Sequence, residues 1–332
     1  MSAPLDAASV DAPVLEIEDL AVHFGRRRGL LRPAGPPVRA VDGVSLTIGA
    51  GETLGLVGES GCGKSTLSNA ILGIVPATRG LVRVRGRLVD PADRKALRAV
   101  RSDVQMVFQD PALSLNPRLT VGAAVGEPLA VRGIASGAEL QRRVEALLTA
   151  VGLEPAHAAR YPHEFSGGQR QRIVIARALA LEPALVVCDE PVSALDVSVR
   201  SQILNLLVDL QRRRGVSYLF VSHDLSVVRH IADRVAVMYL GRLVETAARE
   251  TLFGAPKHPY TSALLAAVPE PDPVRQKAKH RAPLSGELPS PSNMPPGCAF
   301  HPRCPMATDI CRRERPELTG RPDGAHVACH HA

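Results

Sequence analysis

The sequence predicts an α/β protein: a mostly parallel sheet covered on both faces, interrupted by a helical insertion and followed by a small cysteine-rich module. Three observations predict it. Apolar, β-branched runs recur at Leu15 to Phe24, Val41 to Ile48, Thr53 to Val57, Val104 to Phe108, Leu185 to Cys188, Tyr218 to Val221 and Val235 to Tyr239. Several are separated by stretches of helical period, the pattern of strands joined by crossover helices. Between about Thr120 and Tyr161 the alternation lapses into consecutive helices with no strand among them. After Ala267 the composition changes: 8 prolines fall in the 28 residues Pro269 to Pro296, and Gly297 to Ala332 carries four of the six cysteines and four of the eleven histidines.

Each element follows from the same patterns. Helices are expected over Lys64 to Ile74, Ala138 to Val151, Gln169 to Leu181, Val197 to Arg214 and Leu225 to Ile231, because apolar residues there return every three or four positions. The proline-rich stretch holds neither a continuous helix nor a central strand, so it reads as a linker. The last segment is too short to bury a core alone and reads as a separate module. The expected organisation is a disordered N-terminus over 1–13, a main domain over 14–253 with a helical subdomain at about 110–165, a helix and linker over 254–296, and a cysteine-rich module over 297–332. No internal repeat is present at a solenoid or propeller period.

Composition narrows the function classes. The 332 residues, 45% hydrophobic and 22% charged, fall in the globular range, and no run approaches the roughly 18 to 20 apolar residues of a membrane-spanning helix. Met1 to Pro13 is acidic and lacks the build of a secretory signal, which leads to an expectation of a cytoplasmic protein. The net charge is +7, but Arg26, Arg27, Arg28, Arg32 and Arg39 cluster in one Gly/Pro-rich stretch. Only 3% of residues are aromatic and none is Trp, which disfavours a base-stacking surface. No nucleic-acid partner is expected.

Three motifs carry chemistry. Gly58, Glu59, Ser60, Gly61, Cys62, Gly63, Lys64, Ser65 and Thr66 fit G-x-x-x-x-G-K-[ST] between an expected strand and an expected helix. Such a loop turns successive N–H groups toward phosphate oxygens, Lys64 neutralises the β- and γ-phosphates, and the Ser65 hydroxyl holds Mg²⁺. Leu185 to Glu190 is an apolar strand that ends in two carboxylates, at the sheet end where open α/β folds place ligands. Asp189 suits support of Mg²⁺, and Glu190 suits orientation or deprotonation of a water. Ser166, Gly167, Gly168 and Gln169 open a helix with an N-cap and two unshielded amides, read either as a second anion site or simply as a capped helix.

In chain order, Gly58 to Thr66, Gln109, Ser166 to Gln169, Asp189-Glu190, Ser193 to Asp196 and His223 resemble the motif series of ATP-binding cassette (ABC) ATPases, over about Val14 to Phe253. The resemblance implies a P-loop NTPase cassette, with a RecA-like parallel core, an antiparallel β edge and an inserted helical subdomain. It implies ATP and Mg²⁺ as ligands. Gln109 resembles the glutamine that touches Mg²⁺ or water and links the core to the insertion; His223 resembles the histidine that contacts the γ-phosphate. Phe24 occupies about the place of the aromatic that stacks on adenine. In the family, Ser166 to Gln169 closes on ATP held by a partner's P-loop, with Asp196 along the seam, so one cassette cannot complete its own site.

The resemblance narrows at Phe108-Gln-Asp-Pro, Ser114-Leu-Asn-Pro117, His258-Pro-Tyr-Thr261, Gly286 to Ser292 and Gly297 to Pro305, which are similar to the ATPase subunits of bacterial oligopeptide/dipeptide importers. Gly61-Cys62-Gly63 and Pro191 to Asp196 look like the second of the paired ATPases. Implied partners are a sister ATPase subunit, two integral-membrane permease subunits and, indirectly, an extracytoplasmic substrate-binding protein. The same ATPase role in a nickel or other small-solute importer is the alternative. A cytosolic ABC protein of DNA repair or translation is more remote, since the chain has one cassette and no long coiled coil.

Cys298, Cys304, Cys311 and Cys329 are spaced C-x₅-C-x₆-C-x₁₇-C, which is not a tight zinc-ribbon spacing. Four thiols in a cytosolic chain suggest ligation in place of disulfides. A [4Fe–4S] cluster, to which the importer resemblance points, Zn²⁺, and no metal all stand as readings, with His301, His326, His330 and His331 as substitute ligands. Cys62 and Cys188 lie inside other motifs and receive no redox role.

Overall fold

The computed structural model describes residues 12–25, 36–268 and 289–332. Most of the expected disordered N-terminus, four of the five clustered arginines and most of the proline-rich linker lie outside the described residues. β1 (Leu15–Phe24) and β2 (Val38–Ile48) lead into β3 (Thr53–Val57) and α1 (Lys64–Ile71). β4 (Arg79–Val84), β5 (Arg87–Leu88), α2 (Arg94–Asp103) and β6 (Val104–Val107) follow. The insertion holds α3 (Pro111–Ser114), α4 (Val121–Val131), α5 (Gly137–Ala150) and two 3-10 turns at Pro155–Ala159 and Pro162–Glu164. Then come α6 (Gly167–Leu179), β7 (Leu185–Asp189), α7 (Val197–Arg214), β8 (Ser217–Ser222), α8 (Leu225–Ile231), β9 (Arg234–Tyr239), β10 (Arg242–Ala248), α9 (Arg249–Gly254) and α10 (Pro259–Ala267). The tail adds a 3-10 turn at His301–Arg303, a short helix at Asp309–Arg313, β11 (Thr319–Gly320) and β12 (His326–Val327).

Two sheets result. The larger runs β11-β12-β10-β9-β3-β8-β7-β6, and β9, β3, β8, β7 and β6 are mutually parallel along it. The smaller, β2-β1-β4-β5, is antiparallel. The inner strands of the larger sheet are buried on both faces, which explains their unbroken apolar runs. Leu54, Leu56, Leu185, Val187, Leu219 and Val221 point into the core shared with the small sheet and α1. Their neighbours Val57, Val186, Cys188, Tyr218 and Phe220 point into the core shared with the insertion and α6 to α8. This is the two-residue alternation of a strand covered twice.

Local chemistry sets the ends. α7 stops as expected: Gly215 takes φ 67° just past it, and Arg212, Arg213 and Arg214 fill its last turn against the negative helix end. β4 and β10 escape the sequence reading because Arg79, Arg83, Arg242 and Glu245 interrupt their apolar pattern. The C-terminal segment, expected as a module of its own, is joined to the main sheet and core. β12 pairs with β10, Glu245 facing Val327 and Thr246 facing His326, and Phe300, Ala325 and Val327 enter the main core. A segment too small for a core of its own uses the sheet edge and the core of its neighbour.

Candidate active site

Because β3, β8, β7 and β6 run parallel, their C-terminal ends share one edge of the sheet, and four of the predicted motifs emerge there. The loop after β3 is shaped by close contact as much as by flexibility. A Cβ on Gly58 would come 2.2 Å from the Met238 carbonyl oxygen, and one on Gly63 would come 2.0 Å from that of Ala40, where Gly63 also takes φ 110°. At Gly61, φ 80°, a Cβ would meet nothing within 4 Å, so that limb of the loop borders open space. Lys64 is buried at 6% exposure and its Nζ donates to the Gly58 and Glu59 carbonyls at 2.8 and 3.0 Å. Ser60, Gly61 and Ser65 are exposed, Thr66 is half-buried, and Cys62 is buried beside Lys64. Burial pushes the Cys62 thiol up, with Lys64 pulling the other way, so it is a packed thiol and not a thiolate.

Asp189 ends β7 with its carboxyl raised above the ordinary range, chiefly by burial, while a hydrogen bond from the Ser65 hydroxyl and the Lys64 charge pull it down. Glu190 follows in the left-handed region at φ 49°, a conformation that non-glycine residues adopt at a cost. The turn aims its carboxylate across the strand ends. Its Oε2 accepts from Gln109 Nε2 at 3.2 Å, just beyond β6, and its Oε1 lies 2.9 Å from His223 Nδ1, just beyond β8. Glu190 N–H donates to the Val221 carbonyl at 3.0 Å, tying the turn to β8. Three residues distant in sequence thus form one hydrogen-bonded unit beside the loop that carries Lys64.

The Ser166 turn is built differently. Ser166 and Gln169 form a reciprocal capping box, Gln169 Oε1 accepting from Ser166 N–H at 3.0 Å and Ser166 Oγ from Gln169 N–H at 3.4 Å. Gly168 is required by packing: a Cβ there would lie 2.4 Å from Val199 Cγ1 on α7, while Gly167 faces Leu195 at 3.6 Å. No hydrogen bond among the described residues joins 166–169 to 58–66. Asp196 opens α7 with an exposed side chain that makes no capping bond, followed by Val197 at 77% exposure. Phe24 closes β1 opposite Val38 and is half-exposed.

The expected iron–sulfur or zinc site is not supported. Burial pushes the Cys298 thiol up to about 11 and raises Cys304. No group of three or more His, Cys, Asp or Glu side chains among the described residues is gathered closely enough to hold a metal ion. Cys311 Sγ is instead paired with His331 Nε2 at 3.4 Å, and Cys329 Sγ accepts from His331 N–H.

Sequence reasoning missed two residues at the loop after β3. Tyr260 Oη accepts from Glu59 N–H at 2.9 Å, and Arg303 donates to both Glu59 carboxylate oxygens at 2.7 and 3.0 Å. Both lie in stretches that carried the importer resemblance, but 201 and 244 positions from Glu59, beyond the reach of any local pattern.

Comparison with known proteins agrees with this geometry. A family model described as "ABC transporter" matches residues 41–193, and one described as "Oligopeptide/dipeptide transporter, C-terminal region" matches 244–311. The chain is 55% identical to a probable peptide ABC transporter ATP-binding protein of Sinorhizobium fredii, over 96% of this chain and 89% of that one. It is 54% identical to the oligopeptide transport ATP-binding protein OppF of Escherichia coli, over 92% and 93%, and 50% identical to the di/tripeptide transport ATP-binding protein DppF of Pseudomonas aeruginosa, over 96% and 98%. Among solved structures, cbiO1 of Clostridium perfringens, part of the ABC transporter complex cbiONQ, superposes with a TM-score of 0.64 at 29% identity, covering 73% of this chain and 91% of that one. The dimeric cassette MJ0796 in a post-hydrolysis state with ADP and Pi gives 0.61 at 31%, covering 71% and 98%. With both family models matched and relatives at 50–55% identity over 92–96% of its length, the chain belongs to the ATP-binding subunits of the oligopeptide/dipeptide ABC transporter family.

Proposed function

We propose that this chain binds Mg-ATP between its Gly58 to Thr66 loop and the Ser166 turn of a second cassette, and that its hydrolysis drives peptide import through membrane subunits carried by other chains. The observation that carries the reading is the Glu190 unit: a carboxylate held by Gln109 and His223 at the strand ends beside Lys64. The glycine-lined loop and buried ammonium suit a triphosphate, and the Ser65 hydroxyl facing Asp189 suits Mg²⁺. When bound, Mg²⁺ supplies charge neutralisation between the β- and γ-phosphates.

The chain's own residues do the rest. Lys64 leaves the Gly58 and Glu59 carbonyls for phosphate oxygens. Glu190 orients a water and takes its proton as the oxygen attacks the γ-phosphorus and the bond to the β-phosphate oxygen breaks, giving ADP and phosphate. Gln109 and His223 fix the Glu190 carboxylate, and His223, exposed at the strand ends, would contact the γ-phosphoryl group. The partner's Ser166 turn would complete the site at the γ-phosphate. The sister subunit, the two permease subunits and the extracytoplasmic binding protein are partners of this reading. No helix among the described residues is long and apolar enough to cross a membrane. Leu113 on α3, 87% exposed, marks the face of the insertion offered to a permease. The peptide names of the relatives favour peptide over nickel as cargo.

Replacing Glu190 with Gln tests the reading. Mg-ATP binding is expected to persist and to trap a closed dimer, while hydrolysis falls about 10²-fold or more. Turnover at the wild-type rate would refute the role given to Glu190.

A further inference from the structure

We infer that Arg303 and Tyr260, from the C-terminal segment, are positioning residues for the phosphate-binding loop, setting the chain's affinity for Mg-ATP by clamping Glu59. The inference rests on the nucleotide reading above and adds to it a task for the tail.

Glu59 is held at three points. Its carboxylate receives both arms of the Arg303 guanidinium, a bidentate pair whose arginine is 5% exposed. Its N–H donates to Tyr260 Oη, and its carbonyl accepts from Lys64. Bidentate charge-assisted pairs are the most directional of side-chain contacts. The loop's first limb is therefore fixed from outside, by groups reached only when the tail is seated. The second limb, where Gly61 borders open space, is left for phosphate.

The clamp itself is rigid. Tyr260, Tyr239 and Phe300 form a triangle of rings with centroids 4.7 to 5.4 Å apart, and the Arg303 guanidinium lies 5.9 Å from the Tyr239 ring centroid. The start of α10 is anchored in turn. Buried Glu245 accepts from the N–H groups of Lys257 and His258, and His258 Nδ1 accepts from Tyr260 N–H. The same Glu245 sits on β10 opposite Val327 of β12. One strand thus carries both the tail's sheet pairing and the helix that delivers Tyr260.

Two features exclude a purely cohesive role. Cohesion alone is met by the apolar rings, and a buried guanidinium is a costly way to add it. Moreover, Glu59 shares its carbonyl with Lys64, so a displaced Glu59 moves the group that parks the phosphate-binding ammonium.

The test is equilibrium Mg-ATP binding by the full-length chain, measured calorimetrically for wild type, Tyr260→Phe, Arg303→Gln, Glu59→Gln, the Glu59→Gln/Arg303→Gln double variant and Val144→Ala, each with its nucleotide-free melting temperature. Tyr260→Phe keeps the ring and removes one hydrogen bond, and is expected to weaken binding roughly two- to tenfold. Arg303→Gln is expected to weaken it roughly ten- to a hundredfold, with the double variant no worse than the worse single. Val144→Ala, in the core of the insertion and away from the clamp, is expected to lower the melting temperature without changing affinity. Wild-type affinity in both Tyr260→Phe and Arg303→Gln overturns the inference, as does affinity that falls in step with melting temperature across all variants. A wild-type chain that binds no Mg-ATP overturns the nucleotide reading itself, a separate result.

Discussion

The strand-end cluster and the Ser166 turn are both built to receive an anion, and they are built in opposite ways. At the strand ends, groups far apart in sequence answer one another: Glu190 is bonded to a residue 81 positions before it and to one 33 positions after it. At the Ser166 turn, bonding is local, a capping box closed over the four residues 166–169, and its neighbours Leu195 and Val199 provide packing only. A cluster assembled across three strands depends on the whole sheet. A turn that completes itself can be presented to another molecule without rearranging, which suits a site finished by a partner.

Three substitutions would break or sharpen this contrast. The largest effect is expected from Lys64→Ala, which removes the ammonium from the strand-end pole. Charge-assisted bonds of about 1.5–3 kcal/mol each make a loss of Mg-ATP affinity of about a hundredfold or more the expected titration result, with a lower melting temperature in the absence of nucleotide because the Gly58 and Glu59 carbonyls lose their donor. If the Ser166 turn of the same chain held the nucleotide instead, affinity would survive.

Gly168→Val attacks the other pole. Its side chain must enter the space of Val199, so overpacking of about 1–3 kcal/mol is expected, read by denaturant unfolding. Mg-ATP affinity of the isolated chain should stay within about twofold, while hydrolysis by the assembled dimer falls. Lost affinity in the isolated chain would show that the poles are not separate.

The smallest effect concerns acid sensitivity. Burial pushes His258 down to about 4, whereas an unfolded histidine titrates near 6.5. Between those values the unfolded chain binds more protons than the folded one, so stability is lost as pH falls from about 6.5 toward 4. The loss is on the order of 1 kcal/mol per pH unit. His258→Asn keeps a capping acceptor for Tyr260 N–H and removes the titration, so its unfolding free energy should vary less between pH 6.5 and 5. An unchanged slope would place the acid sensitivity elsewhere, and the activity profile could then be read against the strand-end cluster alone.

How much of this was legible follows from where the signals lie. β1, β3, α7 and α8 were readable to the residue because periodicity, caps and Gly215 coincide. The Gly58 to Thr66 loop, Glu190 and the Ser166 cap were readable because each motif states its own local geometry. That Gln109 and His223 meet on Glu190 was not legible: resemblance gave each a ligand contact of its own, and contact between strand ends depends on sheet order. The tail's contacts were hidden for the same reason: its cysteines are conspicuous in sequence, but Arg303 on Glu59 and Val327 beside β10 are long-range pairings.

The outermost strands of the large sheet on the tail side, β11 and β12, are two residues each. Without them the seven-residue β10 would leave unsatisfied those amides and carbonyls that face away from β9, a template on which another chain can build. By laying two very short strands over it, the polypeptide leaves almost no length for a stranger to join. A version truncated before Thr319 should therefore betray itself first by sticking to its own kind, at concentrations where the intact protein stays dispersed.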